Sequence, residues 1–474
     1  MVINKAKIVA TLGPASSSEE VFAEMIKAGL NVARINFSHG DHQQARDSIR
    51  MIRRVNDSLG THVAILADLQ GPKLRIGEVE EGVVLKKDDV LLFTTEPCKG
   101  NRDKVYMNYL QFPQDVNVGE QILLDDGKLV MEVLSTDRKK EVKTKVLHGG
   151  PLKSKKGVNL PNTNVSLPCL TEKDLADLDV ALEEKVDWIG LSFVRQAEDV
   201  VELKRIIAEK DSQALVVAKI EKPAAVADIR RILKVTDGVM VARGDLGVEV
   251  PMQGVPLIQK MIVEQARKYS KPVIIATQMM ESMIQNISPT RAEVNDVANS
   301  VLDGADALML SGETSVGEHP VEVIRAMSKI IAHVEETGRQ VYREHPPKDQ
   351  NHARYITDSI CFNASKIADQ IGAKAILTMT HSGYSAFKIA SHRPGTNILV
   401  FTQNQRILNT LSLLWGVRGF YYDKYKSTDD TFTDIKEIVR KKGIIKSGDM
   451  VIKIASMPIT NRGMTNTIKI GMIE

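Results

Sequence analysis

Short apolar runs alternate with amphipathic stretches from residue 5 to about residue 69. Lys7-Ile8-Val9-Ala10 reads as a strand, and the Ser17 to Glu20 spacing predicts a helix opened by a capping box. Asn31-Val32-Ala33-Arg34-Ile35 predicts a second strand, a helix follows from about Asp41 to Ser58, and His62-Val63-Ala64-Ile65-Leu66 predicts a third strand. The texture then changes. Between about Pro72 and Pro168 strand patterns follow one another, as in Gln121-Ile122-Leu123-Leu124 and Leu129-Val130-Met131-Glu132-Val133 around a turn at Asp126-Gly127. Strand and helix alternate again from Thr171, with strands expected at Asp187 to Leu191, Leu215 to Ile220, Gly238 to Ala242, Pro272 to Ala276 and Ala307 to Leu310. Thr290 and Glu293 predict a capping box, and Ile324, Met327, Ile331 and Val334 recur at helical spacing as a core-facing stripe. Three units before the interruption and five after it predict a TIM (β/α)8 barrel with a small β domain inserted after its third strand. A polar, proline-containing stretch from Arg343 to Asp349 reads as a linker. Beyond it, strands at Ala375 to Thr380, Asn397 to Thr402 and Met450 to Ala455 predict an open α/β domain. The expected domains are 1–71 with 167–342 for the barrel, 72–166 for the inserted β domain, and 350–474 for the C-terminal domain.

Composition narrows the function classes. A chain of 474 residues suits about three domains at roughly 150 residues each. Lys and Arg number 63 against 60 Asp and Glu, which excludes a polycationic nucleic-acid binder on global grounds. Aromatic residues at 4% also argue against stacking platforms for single strands. No apolar run approaches the ~18 residues of a membrane span, and the N-terminal residues lead into a strand without a leader-like core. Cys98, Cys169 and Cys361 are scattered, so a reducing cytoplasm is expected rather than a disulfide scaffold or zinc ribbon.

In a TIM barrel, reactive groups project from the C-terminal ends of the strands. Here those ends carry Arg34, Asn36, Ser38 and His39 after the second strand and Asp68 after the third. Lys219 and Glu221 end the fifth, Arg243, Gly244 and Asp245 the sixth, Thr277 the seventh, and Ser311 and Glu313 the eighth. Glu221 and Asp245, two carboxylates on neighbouring strands, suit Mg²⁺ or Mn²⁺ with waters and substrate oxygens completing the shell. Arg34, Lys219 and Arg243 beside such an ion would neutralise a phosphoryl group in flight. Each carboxylate could instead only pair with its neighbouring cation, as ion pairs near strand ends commonly do.

Several segments together carry a family resemblance. Asn31-Val32-Ala33-Arg34-Ile35-Asn36-Phe37-Ser38-His39-Gly40, Lys219-Ile220-Glu221, Val239 to Glu249 and Ala276-Thr277-Gln278-Met279-Met280-Glu281-Ser282-Met283 resemble signature segments of the pyruvate kinases. Pro289-Thr290-Arg291-Ala292-Glu293 and Met309-Leu310-Ser311-Gly312-Glu313-Thr314 are similar to that family as well. The resemblance implies phosphoryl transfer from phosphoenolpyruvate to ADP, giving pyruvate and ATP. It implies that Glu221 and Asp245 hold the divalent metal and that Lys219 stabilises the transferred group. Arg34 would contact the substrate phosphate, and Gly244, Asp245 and Thr277 would hold the substrate carboxylate. Asn36, Ser38, His39, Arg75 and Lys156 match nucleotide-side positions. The enolate would be protonated through Thr277 and water, backed by Ser311 and Glu313. The inserted domain resembles a closing lid, and the family pattern implies a cytoplasmic homotetramer.

Two departures from the family pattern stand out. The monovalent-cation region, made of Asn36, Ser38, Asp68, Leu69 and Lys73, has Lys73 where many members carry Glu and require K⁺. Members with Lys there resemble a K⁺-independent branch, the ammonium standing in for the cation. Glu221-Lys222-Pro223 replaces the Glu-Asn of many relatives, with Pro223 suited to a first helical turn. In the C-terminal domain, Thr378-Met379-Thr380-His381-Ser382-Gly383-Tyr384-Ser385 joins a strand to a helix start. Thr380, Ser382, Gly383 and Ser385 resemble an effector-phosphate loop for AMP or a sugar monophosphate, although an ordinary capped helix start has the same residues. Two other functions compete: a metal-dependent aldolase or lyase acting through an enolate, and a catalytically silent sugar-phosphate-binding protein.

Overall fold

The computed structural model describes residues 4–38, 40–337, 344–424, 427–457 and 463–474. Strands β1 (Lys7–Thr11), β2 (Val32–Asn36), β3 (Ala64–Asp68), β4 (Trp188–Leu191), β5 (Leu215–Ile220), β6 (Gly238–Ala242), β7 (Val273–Ala276) and β8 (Ala307–Leu310) close into a barrel. Neighbouring strands are parallel, and β1 pairs with both β2 and β8. The expected TIM barrel is therefore present. Its interior is filled by Val9, Val32, Leu66, Trp188, Met240 and Ile274 among others, so it is a packed core and not a pore.

The stretch between β3 and β4 has its own buried apolar cluster, running from Ile76 to Leu160, built on a six-stranded and a two-stranded sheet. The strands Gln121–Leu124 and Leu129–Thr136 pair antiparallel around the expected turn, where Asp126 and Gly127 both have positive φ. In the C-terminal part, β9 (Ala375–Met379), β10 (Asn397–Thr402), β11 (Val417–Tyr421), β12 (Met450–Ala455) and β13 (Thr467–Met472) lie in the order β11-β10-β9-β12-β13. Apolar clusters cover both faces of this sheet. It packs under the barrel, where Leu413 joins the barrel-interior cluster and the Phe387 ring lies 6.5 Å from that of Trp188.

Local differences from the sequence reading have identifiable causes. The first helix is capped by Ser18, whose side chain accepts the Val21 N–H, and not by Ser17. Ser17 instead donates back to the Pro14 carbonyl of a preceding 3₁₀ turn. The third strand begins at Ala64 and not at His62, because the Asn56 side chain takes both backbone groups of Val63. Strands β11 and β13 were not anticipated; β13 is a sheet edge with half of its residues exposed and none buried, so it lacks a burial pattern. The Thr290–Glu293 capping box, the helix start at Pro223 and the buried 324–334 stripe all form. Arg343, which opens the expected linker, lies outside the described residues.

Asp187 sits at the lower rim of the barrel, buried, with Oδ2 accepting the Ile65 N–H at 2.7 Å. Burial pushes its carboxyl up to about 7, against the opposing pull of that N–H and of Arg406 and Arg53. Folding therefore takes up a proton between about pH 4 and 7, so this contribution to stability is full at low pH and is lost as pH rises through about 7. Asp187→Asn is expected to raise the melting temperature at about pH 8 by a few degrees and to change it little at about pH 4. Calorimetry at the two pH values checks this; a variant that melts below the parent at both contradicts it.

Candidate active site

The polar residues foreseen at the strand ends gather at one rim of the barrel. Arg34 on β2 donates through Nε to Asp68 Oδ2 at 2.7 Å and through Nη1 to Thr11 Oγ1 at 2.8 Å. Lys219 on β5 places Nζ 3.0 Å from Glu221 Oε1 and 3.2 Å from Asp68 Oδ1. The latter is an ion pair that leaves Oδ1 without a well-directed hydrogen bond. Lys219 also donates to Ser192 Oγ at 2.7 Å, and Ser192 in turn donates to the Leu69 carbonyl at 2.7 Å. Glu221 Oε2 accepts the Phe193 N–H at 2.7 Å. Lys219, Asp68 and Glu221 are thus one enclosed cluster.

Burial and charge set the protonation of this cluster. Burial would depress the Lys219 ammonium, but Asp68 and Glu221 outweigh it and hold its pKa above the ordinary value. Asp68 is pressed upward by burial and pulled further down by Lys219 and Arg34, so its carboxyl stays below the usual range. Glu221 goes the other way: burial raises it, Lys219 opposes, and the like charge of Asp245 adds to the rise. A second cation beside Glu221 and Asp245 would relieve that repulsion. Asp245 is exposed at the start of the short helix Arg243–Glu249 and free to meet a ligand. Among the described residues no cluster of three or more His, Cys, Asp or Glu is placed to hold a metal. Two carboxylates do fit an ion that draws its other ligands from substrate and water.

Thr277 Oγ1 accepts the Gly244 N–H at 2.7 Å and contacts the Ala276 carbonyl at 2.6 Å. Its φ of 70° is unusual for a β-branched residue, and Gln278 follows at 54°, so this turn is held in a strained conformation beside the reactive rim. Glu313 is buried behind it, accepting the Met280 N–H at 3.2 Å and the Ser311 N–H at 2.6 Å, so it braces the rim.

Arg243 does not join the cationic group expected of it. Its guanidinium grips Asp296 through two 2.7 Å bonds and donates to the Thr277 carbonyl at 2.8 Å, so it holds the strained turn in place. Thr11, Ser192 and Phe193 are contributors the sequence reading missed. Ser192 directly follows β4, so a reading of the fourth strand end would have found it. Gly71 makes that contact possible. It has a φ of 68°, and a Cβ there would come within 2.8 Å of the Phe193 ring and 3.0 Å of Ser192 Cβ.

Asn36 pairs in register with Asp68, and its Oδ1 accepts the Ser38 N–H at 3.1 Å; His39 lies outside the described residues. A groove of about 800 Å³ opens beside Asn36, between Pro14 and Gln44. A crevice of about 380 Å³ between lid and barrel is lined by Lys73, Arg75, Lys156, Lys222 and Asp245. Lys156 pairs with Asp125 at 2.9 Å, and Arg75 bridges to Gly157 on the same loop. The Lys73 ammonium is depressed first by burial, then by Arg75 and Lys219, with Asp245 and Asp68 opposing. Lys73 therefore feels the charges of the reactive rim.

At the 378–385 loop the hydroxyls turn largely inward. Thr380 accepts the Gly383 N–H at 2.9 Å, and Ser385 is buried at 3.1 Å from Thr378 Oγ1, leaving Ser382 exposed.

The barrel-domain model of pyruvate kinase matches residues 3–324, and the pyruvate kinase alpha/beta-domain model matches residues 358–471. The chain belongs to the pyruvate kinase family. It is 41% identical to a pyruvate kinase of Corynebacterium glutamicum over 99% of this chain and 98% of that one. It is 40% identical to a pyruvate kinase of Mycobacterium tuberculosis, with the same coverage of both chains. The crystal structure of a pyruvate kinase from Cryptosporidium parvum superposes with a TM-score of 0.92 at 32% identity, covering 99% of this chain and 96% of that one. Family membership makes the chain a phosphotransferase, moving the phosphoryl group of phosphoenolpyruvate to ADP. No helix among the described residues is long and apolar enough to cross a membrane.

Proposed function

We propose that the rim formed by Arg34, Asp68, Lys219, Glu221, Asp245 and Thr277 carries out that transfer with Mg²⁺ or Mn²⁺ held by Glu221 and Asp245. The observation that carries the reading is the enclosed Lys219 ammonium between Asp68 and Glu221. Its charge is fixed before substrate arrives, so it is ready to meet the negative charge that builds on the phosphoryl oxygens. The bound ion would supply further neutralisation of that charge. Arg34, oriented by Asp68 and Thr11, would hold the substrate phosphate, and the Gly244 N–H with Thr277 Oγ1 the substrate carboxylate. Thr277 with water would return a proton to the enolate, Ser311 and Glu313 bracing it. ADP would lie along Asn36, Ser38 and His39 and reach Arg75 and Lys156 in the lid crevice, an arrangement that an aldolase or a silent sensor does not need. The three free cysteines support a reducing, cytoplasmic setting. We place the domains at 1–71 with 167–342, 72–166 and 350–474, a division supported by one main apolar cluster in the barrel, one in the inserted part and others in the C-terminal part.

Lys73 supports catalysis without K⁺. The resemblance gives the position Glu in K⁺-requiring members, so Lys changes the local charge by two units, each worth roughly 3 kcal/mol at ~5 Å and an effective dielectric near 20 before screening. A coupled pyruvate-formation assay tests both the reaction and this point. ATP and pyruvate are expected in equal amounts, at a rate unchanged when K⁺ is replaced by a bulky quaternary ammonium at constant ionic strength. Absence of ATP would overturn the reaction; a rate that collapses without K⁺ would overturn the role of Lys73. Adding AMP or a sugar monophosphate to the same assay tests the effector loop at Thr380, Ser382, Gly383 and Ser385. Stimulation that Ser382→Asp removes supports it, and indifference to every phosphorylated compound counts against it.

Exposed Met252, Leu257 and Ile287 on the barrel, and Ile356, Met464, Ile470 and Met472 on the C-terminal domain, support a homotetramer in which each face meets a second copy. Light scattering is expected to give the mass of four 52.4 kDa chains. A monomeric mass at micromolar concentration would refute the assembly.

A further inference from the structure

A small charged cluster ties the lid to the barrel. Lys222 follows Glu221 and stands at the N-cap of the helix Pro223–Ala227. Its Nζ bonds Glu249 Oε1, and the Glu249 side chain is fully enclosed. The same oxygen accepts Asn159 Nδ2 at 2.8 Å. Asn159 lies in the last lid strand, Val158–Asn159, directly after the loop that carries Lys156. Glu249 Oε2 is buried with no hydrogen-bond partner among the described residues. Lys222 Nζ also lies 5.7 Å from the centroid of the Phe193 ring, and Phe193 is the residue whose N–H holds Glu221.

An enclosed carboxylate persists only when a cation and hydrogen-bond donors compensate its lost hydration. Here the cation comes from the barrel and the donor from the lid, and both meet on one oxygen. We propose that Lys222, Glu249 and Asn159 form a positioning triad that sets how the lid approaches the reactive rim. Lys222 fixes the charge and orientation of Glu249, and Glu249 then holds the strand that follows Lys156. None of the three needs to touch the reacting atoms. The inference rests on reading the lid crevice as the nucleotide site, since that is where a displaced lid would be felt.

The test compares single and double variants in the intact protein, reading KM for ADP, KM for phosphoenolpyruvate and proton exchange at C3 of pyruvate. Asn159→Ala is expected to raise KM for ADP about five- to tenfold, the loss of one hydrogen bond to a charged acceptor, with the other two readouts unchanged. Lys222→Met alone is expected to raise KM for ADP at least as much, because it strands a buried charge. Lys222→Met combined with Glu249→Gln removes both charges while Gln still accepts from Asn159. It is expected to return KM for ADP to within about threefold of the parent. If Lys222 instead contacts a nucleotide phosphate, the double variant will be as impaired as the single, and the triad is overturned. Equal rises in both KM values for Asn159→Ala would also overturn it. Amide exchange of the lid provides a readout that does not depend on the reaction: Asn159→Ala should speed exchange at Ile76, whose N–H meets the Lys156 carbonyl. Unchanged exchange there would refute the triad even if the assignment of the crevice to nucleotide also failed.

Discussion

Asp245→Ala and Glu221→Ala are each expected to lower turnover by about a thousandfold or more while the fold survives. The two losses have different local causes. Asp245 is exposed and makes no side-chain hydrogen bond or ion pair among the described residues, so Asp245→Ala should melt close to the parent. Glu221 is buried, shares Lys219 and accepts the Phe193 N–H. Glu221→Ala should therefore also lower the melting temperature. On the proposed metal site either variant would leave the ion a single protein carboxylate, and Glu221→Ala would in addition take from Lys219 one of its two counter-charges, Asp68 remaining. Steady-state rates across a Mg²⁺ titration, with circular dichroism to verify folding, check the expectation. Near-normal turnover of folded Asp245→Ala at ordinary Mg²⁺ would remove it from the metal site.

Lys219→Met is expected to cut kcat by about a thousandfold with a much smaller change in KM for phosphoenolpyruvate. An interaction realised only as charge develops on the transferred group appears in kcat, and methionine keeps the length of the side chain without its charge. Proton exchange at C3 of pyruvate should survive better, since that step moves no phosphoryl group. The variant also leaves Asp68 and Glu221 facing each other in an enclosed site, with Arg34 as the remaining ion pair of Asp68 among the described residues. A rise in the pH at which activity appears should accompany the fall in rate, because both carboxylates will then hold protons to higher pH. Equal loss of transfer and exchange would show that Lys219 organises the whole rim and has no special part in the transfer.

The alternation of short apolar runs with helical patterns was enough, by itself, to determine a barrel interrupted after its third strand and followed by an open α/β unit. The barrel strands are buried on both faces and the helices on one, and that burial is written locally as short continuous apolar runs for the strands and as period 3.6 for the helices. The residues Arg34, Asp68, Lys219, Glu221, Asp245 and Thr277 were legible for the same reason: position at a strand end is a one-dimensional property. Their partnerships were not. That Arg243 would turn to Asp296 on a distant helix, or that Ser192 would bridge Lys219 and the Leu69 carbonyl, depends on side-chain directions that follow from the closed sheet. The shift of β3 by two residues has the same origin, since the Asn56 side chain competes for the backbone of Val63 only after the preceding helix has docked. The tertiary structure also decided which hydroxyls of the 378–385 loop are available, because Ser385 and Thr378 meet only across a strand and a helix. Local chemistry is carried by the chain one residue at a time, whereas contact between residues distant in sequence exists only once the chain has closed around its cores.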